Sequence, residues 1–165
     1  MPMSAALRQA FSDQIALEFS AAYAYLAMAA YLEDANLDGF SGWMQVQHKE
    51  EIEHAHKFFH FVLERGERPH LAALPEPGQG FASVEEVFVK ALEHEQKVTA
   101  AINRLYEMAS AEKDYASLPL LQWFVTEQVE EESNVGRVLE RVRLAAAHPA
   151  ALLVLDRELG ERRGH

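Results

Sequence analysis

The nine residues from His48 to His56, HKEEIEHAH, hold three glutamates and three histidines, and the pattern Glu-x-x-His occurs in them twice, as Glu51 with His54 and as Glu53 with His56. Side chains three apart on a helix share a face. A carboxylate and an imidazole so placed suit iron(II), manganese or zinc better than thiol-seeking metals. The alternative for either pair is a solvated acidic helix face. Spacing alone does not separate these readings, so the helices that carry the residues have to be placed first.

Four long helices follow from the pattern. From Ser4 to Asp34 the chain is rich in Ala, Leu, Met and aromatics, without Gly or Pro, and its apolar residues recur at helical spacing. After the turn NLDG a second helix is predicted from about Gly39 to Arg65, with Asp38 as its N-cap. GERPHLAALPEPGQGFAS, with three prolines and three glycines, is no regular helix. Ser83 with Glu86 has the form of a capping box, and a third helix runs from there to about Ala111. A fourth follows DYASLP and runs to about Ala147, Pro149 ends it, and ALLVLDREL forms a short fifth. Short joins make helices one and two antiparallel, and likewise three and four. The middle connector, extended, reaches roughly 55 Å, against about 42 Å for a helix of about 28 residues. It can run the length of the molecule, which predicts an all-α four-helix bundle with one long crossover, a short C-terminal fifth helix, and a single domain over 1–165.

Each helix then offers one core track of alternating three- and four-residue steps. The first is Phe11, Ile15, Glu18, Ala22, Tyr25, Ala29, Leu32, and the second Phe40, Met44, Gln47, Glu51, His54, Phe58, Phe61. The third is Phe88, Ala91, Glu95, Val98, Ile102, Leu105, Ala109, and the fourth Leu121, Phe124, Gln128, Glu131, Val135, Val138, Val142. Every track is interrupted near its middle by polar groups. The register separates the two Glu-x-x-His pairs: Glu51 and His54 lie on the core track, while Glu53 and His56 fall off it toward solvent. A shift of 77 residues carries Glu18, Glu51 and His54 onto Glu95, Gln128 and Glu131, so two similar hairpins bring all six to one level.

A single glutamate on an inferred core track is ordinarily a side chain that reaches the rim. Four converging carboxylates are different, because bare ions in an apolar interior cost several kcal/mol each. They must be protonated, paired or bound to cations, and no Lys or Arg lies on the central part of any track. Glu18, Glu51 and His54 would make one metal site and Glu51, Glu95 and Glu131 a second. Glu51 would bridge two metals about 3.5–4 Å apart, a pair able to pass two electrons to dioxygen.

Composition narrows the partners. The net charge of −11, from 26 acidic and 15 basic residues, argues against nucleic-acid and anionic-membrane partners and is compatible with cations. The absence of cysteine removes disulfides, thiolate metal sites and cysteine nucleophiles, and fits an intracellular setting. The N-terminus does not have the form of a signal peptide, and no apolar segment is expected to be long enough to span a bilayer, so a soluble protein is expected.

The motifs ALEFSAAYAYLAMA, HKEEIEH, EHEQ and LQWFVTEQVEEE, together with the crossover, make the chain resemble the bacterial non-haem ferritins over nearly its whole length. The resemblance implies oxidation of iron(II) by dioxygen or hydrogen peroxide and storage of iron(III) mineral inside a cytoplasmic homo-oligomeric cage of 24 subunits. It assigns Glu18, Glu51 and His54 to the first iron site of the ferroxidase centre and Glu51, Glu95 and Glu131 to the second. Gln128 matches a glutamine that stands in place of a further carboxylate. Tyr25 matches a tyrosine that supplies an electron or steadies a ligand; its other reading is an aromatic core residue. A third iron site is implied at Glu50, Glu127 and Glu130 with Glu131 shared, where local reading alone sees a solvated acidic run. The haem-containing relatives carry a second Glu-x-x-His in helix four and a Met after the bridging Glu. This chain has Gln128 with Glu131 and Ile52 there, so no haem is expected. Acidic residues that line a pore in animal ferritins are replaced by Leu118, Leu120 and Leu121. The rival readings are another di-metal carboxylate oxidoreductase on the same bundle, a purely structural bundle with protonated carboxylates, and a small DNA-protecting cage.

Overall fold

In the computed structural model, which describes residues 2–164, five helices follow one another: α1 (Ala5–Asp34), α2 (Asp38–Glu64), α3 (Val84–Ala111), α4 (Leu118–Ala145) and α5 (Pro149–Leu159). The helix ends obey local chemistry. Ser4 caps α1 by accepting the Leu7 N–H at 3.0 Å. At α3 the Ser83 hydroxyl accepts from Glu86 N at 3.1 Å, while the Glu86 carboxylate reaches back to the N–H of Ala82, one residue before the cap. Two boundaries differ from expectation. Asp38 is the first residue of α2 and not its cap, which is Leu37 without a side-chain bond; its charge instead complements the helix N-terminus. Pro149 opens α5, where its missing N–H costs nothing, and α4 stops at Ala145.

α1 packs along α2, and α3 along α4. The crossover then runs beside α1: His70 N donates to Ser12 Oγ at 3.0 Å, and Phe81 meets Tyr31 edge-on at 5.2 Å. Those two partners are about 28 Å apart along the helix axis, so the connector carries the chain back along the bundle and α3 runs parallel to α2. Arg65, at the end of α2, ties that end to the α3–α4 turn through Asp114 at 2.7 and 3.0 Å. Across the bundle, backbones of α1 and α3 approach closely. α2 and α4 meet through long side chains, such as Phe58 stacked on Phe124 at 4.0 Å.

All four core tracks are buried except at the last position of the second, where Val62 replaces Phe61 in the interior. A straight helix of 3.6 residues per turn drifts from a strict three-four alternation, and here the final step is four. The apolar core is divided. One cluster gathers Tyr25, Leu32, Phe40, Met44, Phe88 and Val135, and the other Leu7, Phe11, Phe58, Ile102, Leu121 and Phe124. The polar track positions lie between them.

One helix does pass a length-and-composition test for crossing a bilayer, contrary to expectation. In α1, alanines and aromatics fill the turns between widely spaced charges, and half of its most apolar window is buried within the bundle. Its apolar content belongs to the core.

α5 packs on α2 and α4. A Cβ on Gly39 would lie 1.7 Å from the Asp156 carbonyl oxygen, so only glycine allows this approach, and the Asp156 carboxylate accepts from Phe40 N at 2.8 Å. Gly39→Ala should therefore lift α5 from α2 and cost about 1–3 kcal/mol. Thermal unfolding and limited proteolysis of the C-terminal segment measure both; unchanged values refute the tight docking.

Candidate metal centre

The polar layer is built by four helices, each contributing from the middle of its buried stripe: Glu18 from α1, Glu51 and His54 from α2, Glu95 from α3 and Glu131 from α4. Glu18, Glu51 and Glu95 are fully buried, and Glu131 and His54 nearly so. Their ligand atoms converge in three groups, each within 4.8 Å: Glu18, Glu51 and His54; Glu51, Glu95 and Glu131; and His54, Glu127 and Glu131. Glu51 belongs to the first two.

His54 stands between carboxylates on both ring edges. Its Nδ1 lies 3.3 Å from Glu51 Oε2 and 4.0 Å from Glu18 Oε2, and its Nε2 3.7 Å from Glu127 Oε1. The ring is packed edge-on against Trp123 and Phe124 at 5.7 and 5.5 Å, which limits its rotation. Burial pulls its pKa down, but the bond to Glu127 and the fields of Glu18, Glu131 and Glu127 together leave it above the ordinary value.

The carboxylates are strained by being together and dry. Burial, then the fields of Glu95 and Glu18, raise the Glu51 pKa well above the ordinary range. Burial also raises Glu95, against the hydrogen bonds of Tyr25 and Gln128. Glu131 is pushed up to about 8 by burial and by Glu95. Glu18 Oε2 and Glu51 Oε1 are buried without a hydrogen-bond partner among the described residues. Buried acceptors of this kind are rare unless something else satisfies them, and a divalent cation would satisfy them and return the protons to solvent.

Three neutral amides each support a different carboxylate. Gln14 Nε2 donates to Glu18 Oε1 at 2.8 Å, Gln47 Nε2 to Glu131 Oε2 at 2.9 Å, and Gln128 Nε2 to Glu95 Oε2 at 3.1 Å. An amide donor stabilises a carboxylate while adding no positive charge, so it would hold a ligand without competing with a cation. Tyr25 adds a fourth support, its hydroxyl donating to Glu95 Oε1 at 2.5 Å. Burial, then Glu95, hold its proton on by raising the phenol pKa well above the ordinary value.

The remaining candidates are spread differently. Glu127 is half-buried against His54, whereas Glu130 is exposed, and Glu50 is buried on the neighbouring stripe of α2, where Arg162 contacts it at 3.2 Å. Glu50 and Glu130 belong to none of the three converging groups. Glu53 and His56 are exposed. His48 is half-buried, its Nδ1 donating to the Ala22 carbonyl oxygen at 2.7 Å, a contact that joins α2 to α1. Sequence reasoning passed over Gln14 and Arg162 as site residues and read Gln47 only as an interruption of the track. Gln14 is one turn before Glu18, a spacing that carries the signal; Arg162, beyond the last helix, has none.

Known proteins show the family of the chain that carries this layer. A family model described as a ferritin-like domain matches residues 8–145. The bacterial non-heme ferritin of Staphylococcus haemolyticus is 38% identical over 160 residues, covering 97% of this chain and 96% of that one. Its counterpart from Staphylococcus aureus is 37% identical with the same coverage. Among solved structures, an open pore ferritin from the archaeon Archaeoglobus fulgidus superposes with a TM-score of 0.96 at 45% identity, covering 98% of this chain and 99% of its own. A closed form of that ferritin engineered by site-directed mutagenesis gives 0.97 at 45% identity, with 99% of both chains covered. With the family's domain, its fold and its near-full-length relatives all matched, the chain belongs to the ferritin family.

Proposed function

We propose that this chain stores and detoxifies iron: it takes iron(II) as substrate at the polar layer, oxidises it with dioxygen or hydrogen peroxide, and passes iron(III) to a mineral inside a cytoplasmic cage of 24 copies. The observation that carries the reading is the pair of ligand triplets sharing Glu51. A shared carboxylate holds two iron ions close enough for both to meet one oxidant. Each iron(II) gives up one electron, and dioxygen takes the pair with two protons to form hydrogen peroxide.

Within this reading the chain is a single ferritin-like domain over 1–165. Glu18, Glu51 and His54 hold one iron and Glu51, Glu95 and Glu131 the other, with Gln14, Gln47 and Gln128 orienting carboxylates. Tyr25 orients Glu95 and is an electron donor in contact with the centre. Glu50, Glu127 and Glu130, with Glu131, take a third iron on its way out of the centre. No haem, nucleic acid or membrane takes part.

Mass separates this reading from another di-metal oxidoreductase on the same bundle. Light scattering on the purified protein should find 24 times the chain mass of 18.6 kDa, and aerobic iron(II) should disappear into a soluble, protein-held iron(III) core. A monomer or dimer that turns over iron without retaining it would replace storage with the rival.

A further inference from the structure

We propose that Arg162 is a tethered cation at the edge of the metal centre, which holds Glu50 until a divalent ion displaces it. The inference rests on the reading above, in which Glu50 belongs to a third iron site.

The tail is brought to this place by the fold. Gly160 lies against Gly39, a Cβ on it falling 3.1 Å from the Gly39 Cα, and so sets where the chain leaves α5. Two residues later Arg162 lies across the Trp43, Gln47 and Glu50 stripe of α2, whose members stand about one turn apart. Its guanidinium sits 4.4 Å from the Trp43 ring centroid. It donates to Gln47 Oε1 at 2.5 Å, to Glu50 Oε2 at 3.2 Å and to the Trp43 carbonyl at 3.5 Å. Both charges are shielded: the Arg162 side chain is 16% exposed and that of Glu50 7%.

Two chemical facts make this more than a surface pair. Arginine does not lose its proton in a protein, so the guanidinium keeps its hold on Glu50 Oε2 until it moves away, and its charge opposes a metal at that carboxylate. Arginine also only donates, so its contact with Gln47 Oε1 turns the amide so that Nε2 faces Glu131. Arg162 thus touches both a third-site carboxylate and, through Gln47, a carboxylate of the main centre. It lowers the affinity of the third site and keeps an ion there in transit, with a monovalent group waiting to take its place.

The test is calorimetric titration of the assembled metal-free protein with zinc(II), which binds without redox chemistry. The wild type should take two tight ions per chain and a weaker third. In Arg162→Gln the third should tighten by roughly tenfold or more, and in Arg162→Lys it should stay within about threefold of wild type. Arg162→Met, which keeps an apolar stem over Trp43, replaces the glutamine variant if that one fails to assemble. In a Trp123→Phe background the third ion should shift the emission of Trp43, and that shift should vanish in Arg162→Gln. A third ion of equal or weaker affinity without Arg162, or two ions and no third in every variant, overturns this inference and leaves the two-metal centre standing. A wild type that binds no zinc overturns both.

Discussion

Glu51→Ala should slow aerobic iron(II) oxidation by at least about a hundredfold, because it removes the carboxylate that both sites of the proposed centre share. His54 and Glu131 each share their second membership with the Glu127 group, whereas Glu51 is the one residue common to the triplet of Glu18, Glu51 and His54 and that of Glu51, Glu95 and Glu131. Its loss leaves Glu18 with His54 and Glu95 with Glu131, two ligands each and no bridge, so the two electrons no longer leave from one place. His54→Ala should be less severe, since it takes a member from the Glu18 and Glu127 triplets but leaves Glu51, Glu95 and Glu131 intact. The control is built into the same helix: a double replacement of Glu53 and His56, exposed on the opposite face, should leave the rate within about twofold. Stopped-flow absorbance of iron(III) formation measures all three. The Glu51 variant should still fold, because the cavity left by the side chain is offset by removal of a carboxyl that burial and two neighbouring carboxylates disfavour. A Glu51→Ala protein that oxidises iron at the wild-type rate would refute the shared-ligand centre.

A second large effect is expected from pH and metal together. Glu131 has a folded pKa raised from 4.5 to about 8, with Glu51 and Glu95 also raised. Over that interval the folded state holds protons that the unfolded chain has released. The sign follows: this contribution to stability is complete below the unfolded value near 4.5 and is lost as pH climbs through about 8. Between pH 6 and 8.5 the metal-free protein should lose on the order of 2 kcal/mol as the carboxylate group that includes Glu131 ionises, at 1.36 kcal/mol per pH unit. Divalent ions should reverse the trend, since they bind the ionised carboxylates and release protons. At a thousandfold excess over the dissociation constant, each ion should add about 4 kcal/mol. Melting curves at pH 6 and 8.5, with and without zinc(II), measure both effects. Glu131→Gln should flatten the metal-free dependence; if the slope is unchanged, the buried carboxylates are not its source.

The two predictions share one cause, which is the price of a ligand layer placed inside an apolar core. Two hydrophobic clusters hold the four helices together, and in the proposed reading the layer between them is unfavourable until cations arrive. The amides of Gln14, Gln47 and Gln128 and the phenol of Tyr25 hold the carboxylates in place during that interval. None of the four carries a positive charge, so the layer stays receptive.

Much of this was legible without coordinates. Helical periodicity, capping residues and loop lengths determine five helices and a crossover, since each is a local property of a few neighbouring residues. Glu18, Glu51, His54, Glu95, Gln128 and Glu131 were found as polar breaks in apolar stripes, a signal that survives because helix geometry is regular. Where regularity drifts the reading slipped, as at Phe61 and Val62. The apolar run of α1 likewise has two meanings, bilayer or core, and its packing against α2 and α3 selects the second.

Tertiary structure alone decided the contacts that depend on distance across elements. Glu127 faces His54 because α4 meets α2 through long side chains. Gln47 donates to Glu131 across 84 residues of chain. Arg162 reaches Glu50 only because Gly39 and Gly160 let α5 dock closely enough to deliver the tail. Periodicity in a sequence reports which face of a helix is buried, but carries no record of which buried side chain meets which, because that pairing is set by how helices cross.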